Sequence, residues 1–141
     1  MKTELITSLD LIDDKVKFSG KVEGRPEIII DYYEPVGTND GYTSLELLQI
    51  SLSSCLATGV VSLLRKFGKN VNGLSLHAKG NRAESHPTVL KNIELELIVQ
   101  SEDANDDDIT KAIKMNEDLI CPVYAMLSPK TAINITYKLI Q

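Results

Sequence analysis

Two cysteines carry the reactive chemistry available to this chain: Cys55, inside the apolar run SLELLQISLSSCLATGVVSLLRKFG, and Cys121, which opens CPVYAML. They are too far apart in sequence for a local C-x-x-C redox or zinc motif, so any shared chemistry needs the fold to bring them together. A redox thiol pair is the leading reading. Beside it stands a plainer one, since free cysteine is among the most buried residue types and packs as a small hydrophobe. Other groups could serve a thiol. His77 and His86 could accept its proton, but as residues of a strand and a turn without a readable carboxylate partner they read as surface groups. Arg25 is a cation beside Pro26 in a turn, and Arg65 falls where a helix would end. The run Asp106, Asp107, Asp108 lacks the spacing of a calcium loop and reads as helix capping.

These residues need a scaffold. Val16, Phe18 and Val22 share one face of a strand between Lys15 and Val22, and Glu27–Tyr33 carries the β-branched run Ile28, Ile29, Ile30. Gly24-Arg25-Pro26 turns one into the other. A polar loop over residues 34–42 comes next, and Thr43 with Glu46 forms a T-x-x-E capping box at the start of a helix running from Ser44 to about Phe67. Its apolar residues cover nearly the whole circumference, which predicts burial on most sides, and Gly68 stops it. Two alternating strands succeed it: Leu74, Leu76 and Ala78, then Ile93, Leu95, Leu97 and Val99. A second helix starts at the acidic run, Pro122 forces a bend or restart at Cys121, and a strand carries Ile133, Ile135, Tyr137 and Leu139. The order β-β-α-β-β-α-β predicts an α+β domain in which a mostly antiparallel sheet packs on a long central helix.

With 141 residues, 43% hydrophobic and 25% charged, the chain reads as one domain over 1–141. The first residues lack an apolar signal-peptide core, and Gln49 with several serines interrupts the longest apolar run, so neither a signal peptide nor a membrane span is expected. A cytoplasmic, reducing location is expected in turn, with both cysteines as thiols at rest. A net charge of −5 without a basic stripe argues against nucleic acid.

The SLELLQISLSSCLATGVV helix, the turn from Arg82 to Pro87, the strand KNIELELIVQ and the late CPVYAML together resemble the OsmC/Ohr superfamily of organic hydroperoxide reductases over roughly residues 14–140. FSGKVEGRPEIIID and MNEDLICPVYAML lean toward its YhfA-like branch. The resemblance implies a thiol-dependent peroxidase acting as an intertwined homodimer, with Cys55 as the peroxidatic cysteine and Cys121 as the resolving one. It implies a small organic hydroperoxide as substrate and an external thiol reductant, a dithiol such as dihydrolipoamide, with no metal or organic cofactor. Glu46 matches the glutamate that pairs with an activating arginine, and Arg25 is the candidate for that arginine. Nine residues of unbroken helix, about 900° of rotation and about 13.5 Å of rise, put Glu46 on the far side from Cys55. A role at the thiol then requires a helix break among residues 51–54 or a partner subunit; otherwise Glu46 simply closes the capping box. The alternative function is a non-enzymatic or redox-sensing small-molecule-binding dimer of the same fold.

Overall fold

The computed structural model describes residues 2–141, and its backbone contacts divide the chain into two compact units, Met1–Leu47 and Leu48–Gln141. The first unit is an antiparallel sheet of β1 (Ser8–Leu11), β2 (Phe18–Lys21) and β3 (Ile28–Ile30), in that order. The turn expected between β2 and β3 is present, closed by the Arg25 N–H on the Val22 carbonyl at 3.0 Å. β1 was not expected from the sequence, because its four residues are all exposed and leave no one-sided pattern to detect.

Beyond β3 the loop is organised by one buried carboxylate. Asp31 accepts the N–H of Tyr32 (2.8 Å), the N–H and hydroxyl of Thr38 (3.2 and 2.7 Å) and the N–H of Asp40 (3.1 Å). These donors, the Thr38 hydroxyl foremost, pull the Asp31 carboxyl down to about 2 despite its burial. The loop closes so tightly that a methyl at Gly37 would overlap the backbone of Tyr32. It delivers the chain to Thr43, where the capping box forms as expected: the Thr43 N–H donates to Glu46 at 2.8 Å and the Glu46 N–H to the Thr43 hydroxyl at 3.3 Å.

Helix α1 (Ser44–Lys66) runs unbroken from that cap. At its end Gly68, at φ 81°, completes a Schellman turn, its N–H on Arg65 and that of Lys69 on Leu64. In the second unit β4 (Gly73–Arg82) and β5 (Leu90–Gln100) pair antiparallel, and β6 (Ala132–Ile140) lies parallel on the other side of β5. That last pairing needs a long crossover. Helix α2 (Asp106–Met115), a wide π-type turn (Asn116–Ile120) and helix α3 (Pro122–Leu127) supply it. Asn105 caps α2 by a capping box with Asp108, and three acidic residues occupy its first turn.

The core of this unit consists of Leu52, Leu56, Val60, Leu63 and Leu64 of α1, alternate residues Ile93, Leu95, Leu97 and Val99 of β5, and Ile109, Ala112 and Ile113 of α2. Each fully buried leucine or isoleucine contributes roughly 1.5–3 kcal/mol. Gln49 ties α1 to β4 through the Ala78 carbonyl at 3.2 Å. One sequence expectation needs correction. α1 is buried along one stripe rather than on most sides, with Ile50 52% exposed, because no element of its unit covers its remaining faces. By length and composition α1 is apolar enough to cross a membrane, and its buried stripe packs in the core just described.

Candidate functional site

Cys55 projects from the middle of α1, and Cys121 stands at the junction of the wide turn and α3. Local chemistry fixes the second position. Pro122 cannot donate a backbone hydrogen bond and disfavours a helical residue before it, so Cys121 is extended (φ −79°, ψ 105°) and becomes the N-cap of α3. The bend expected at Pro122 is there. The Cys121 thiol accepts the Tyr124 N–H at 3.4 Å.

The fold brings the two cysteines together. Both are free thiols, and Cys55 lies near enough to Cys121 to act on its ionisation. Cys121 is 3% exposed, whereas Cys55 is only partly covered. Burial first, then the neighbouring Cys55 thiol, push the Cys121 thiol up to about 11, against the pull of the Tyr124 and Val123 N–H groups. Cys121 therefore keeps its proton at neutral pH. Cys55 is the sulfur that a molecule from solvent can reach.

The other candidates are dispersed. Glu46 is engaged in the α1 cap, which holds its carboxyl below the usual range chiefly through the Thr43 N–H. Since α1 has no break, Glu46 is not brought to Cys55 of its own chain. Arg25 lies exposed in the β2–β3 turn of the first unit. His77 is exposed on β4 and His86 in the β4–β5 connection, while Arg82 is spent on Thr88. An open groove of about 490 Å³ runs along another side of α1 past Thr58, Ser62 and Arg65; Cys55 is not in its walls. Among the described residues no cluster of three or more His, Cys, Asp or Glu side chains could hold a metal ion.

Sequence reasoning missed Asn116 and Gly59. Asn116 is fully buried, gives its side-chain amide to the Ala112 carbonyl at 2.8 Å, and takes the Cys121 N–H on its own carbonyl at 3.0 Å. Its side chain occupies the place a methyl would take at Gly59, one turn beyond Cys55 on α1. The only hint was the restart at Pro122.

Residues 37–138, which include both cysteines, match the OsmC-like protein family. The chain belongs to that family. This OsmC-like protein is 29% identical to protein YhfA of Escherichia coli K12 over 93 residues, 66% of this chain and 68% of YhfA. Its fold is similar to that of a hypothetical protein from Aquifex aeolicus, with a TM-score of 0.85 and 25% identity over 98% of this chain and 97% of the other. An organic hydroperoxide resistance protein from Elizabethkingia anophelis shares the fold at a TM-score of 0.69 and 17% identity over 99% of each chain. The α+β architecture inferred from the sequence is thus that of the OsmC-like proteins, and membership supports a redox role.

Proposed function

We propose that this protein is a thiol-dependent peroxidase that reduces organic hydroperoxides in oxidative stress defence, with Cys55 as the attacking and Cys121 as the resolving residue. The nearness of these two thiols, one partly exposed and one buried, is the observation that carries the reading. The Cys55 thiolate attacks one peroxide oxygen; the S–O bond forms, the O–O bond breaks, and the departing alkoxide takes a proton to leave as an alcohol. Cys55 is then a sulfenic acid. The Cys121 sulfur attacks the Cys55 sulfur, an S–S bond forms, the S–O bond breaks, and the leaving hydroxide takes up the Cys121 proton as water. A dithiol such as dihydrolipoamide restores both thiols by two exchanges and ends as its own disulfide. Neither metal nor organic cofactor enters these steps.

The working unit in this proposal is a cytoplasmic homodimer, supported by the apolar side chains that α1 and the crossover leave in solvent, Ile50, Leu119 and Met126 among them. Ionising Cys55 near neutrality requires a favourable field, and Arg25 is the proposed cation, with Glu46 as its partner where a second subunit supplies the pair.

The deciding experiment measures consumption of cumene hydroperoxide with a dihydrolipoamide-type dithiol. Cys55→Ser should abolish it, Cys121→Ser should spare the first oxidation and stop recycling, and Arg25→Ala should slow alkylation of Cys55 at pH 7. Mass spectrometry should find an intramolecular Cys55–Cys121 disulfide after stoichiometric peroxide. Sulfinic acid on Cys55 beside a free Cys121 would remove the resolving role. No turnover, with Cys55 alkylation titrating above about 8.5, would favour a small-molecule-binding dimer of the same fold.

A further inference from the structure

We propose that Asn116 is the positioning residue of the resolving step: seated on Gly59, it holds the wide turn that presents Cys121 to Cys55. The inference rests on the peroxidase reading and deepens it.

The geometry of the turn comes first. α2 is regular to Met115, after which the Cys121 N–H reaches back five residues, to Asn116, instead of four. Relative to a continued α-helix, one inserted residue rotates the downstream chain by about 100° and shifts it by about 1.5 Å. Without that widening Cys121 would leave the crossover on a different face. Such a turn is less favourable than an α-turn and persists only where its surroundings hold it.

Asn116 does so from both ends. Its side-chain amide grips the Ala112 carbonyl one turn earlier, and its own carbonyl receives the Cys121 N–H. The remaining side-chain oxygen, Oδ1, is buried and finds no hydrogen-bond partner among the described residues. A leucine would fill this volume without stranding an acceptor, so packing alone does not account for an amide here. The atom lies over the bare Cα of Gly59, four residues and hence one turn along α1 from Cys55. One residue therefore joins the helix of the first thiol to the backbone of the second.

The test separates the two chemical steps. In Asn116→Leu, sulfenic acid formation on Cys55, monitored by dimedone trapping under limiting cumene hydroperoxide, should stay within twofold of wild type, while Cys55–Cys121 disulfide formation slows at least tenfold. Gly59→Ala, which displaces the amide without removing it, should give the same split. The double variant Gly59→Ala, Asn116→Ala relieves the overlap but restores no amide, and should remain slow; recovery of the wild-type rate there would show that only packing matters and would overturn the proposal. Disulfide formation at the wild-type rate in the single variants would overturn it too. In the wild-type protein, which needs no substitution to fold, the Asn116 side-chain amide protons should exchange slowly with solvent and shift between thiol and disulfide forms; fast exchange in both forms would sink the idea. If the wild-type protein forms no Cys55–Cys121 disulfide at all, the peroxidase reading itself fails, and this inference with it.

Discussion

At the residue scale the pair is asymmetric, and the asymmetry has a pH signature. The Cys121 thiol is held near 11 in the folded protein against 9.0 in an ordinary setting, with burial the main cause. Between those values the unfolded chain has lost the proton that the folded chain retains, so stability is intact below about pH 9 and falls as the pH rises toward 11. The melting temperature should decline across that window, and the decline should flatten in Cys121→Ala. If Cys121 resolves as proposed, disulfide formation should meanwhile accelerate with pH, because the attacking sulfur must lose its proton. Asp31 behaves in the opposite sense. Its carboxyl is lowered to about 2, so the stability it contributes is present above the ordinary 3.8 and is lost as the pH falls through about 2. Asp31→Asn should melt below wild type at pH 7, and the gap should close in strong acid; a gap that persists at pH 2 would mean that the loop depends on something other than the charge.

At the element scale the long helix is bounded by two local devices that can be tested one at a time. Thr43→Ala removes the cap hydroxyl and should cost about 1 kcal/mol in urea unfolding. Gly68→Ala, at φ 81°, should cost a further amount of about 1 kcal/mol, since no L side chain rests easily in that region. Both ends of α1 were legible because a cap and a stop are written in neighbouring residues. The strands β4, β5 and β6 were legible for a related reason: each alternates strictly, with β5 burying Ile93, Leu95, Leu97 and Val99 on one face. What stayed hidden depends on partners distant in sequence. β1 exposes all four residues and shows no period; the parallel sense of β6 is set by the crossover; the wide turn at Asn116 looks like ordinary helix until Gly59 is placed beneath it. The cysteines were visible as chemistry, but their meeting is a tertiary fact, as is the burial that sets Cys121 apart from Cys55.

On the scale of the whole molecule, apolar surface remains to be covered. Leu119 is 80% exposed, Met126 72% and Ile50 52%, more than scattered surface leucines account for. Light scattering at micromolar concentration should give twice the 15.6 kDa chain mass, and Ile50→Asp should shift the equilibrium toward monomer; a folded wild-type monomer would dismiss the dimer. The parallel pairing of β6 on β5 has a temporal consequence as well. β4 and β5 join through a short connection and can zip locally, whereas each β5 residue waits some forty positions for its β6 partner, Ile93 for Ile133 and Leu97 for Tyr137. Cys121 rides on the segment between them, so it becomes anchored only once that distant closure is made. A ribosome-bound chain that has emerged as far as α1 and the β4–β5 hairpin therefore carries Cys55 without its counterpart, and on the proposed chemistry a peroxide met at that moment would find a thiol with nothing to rescue it from over-oxidation.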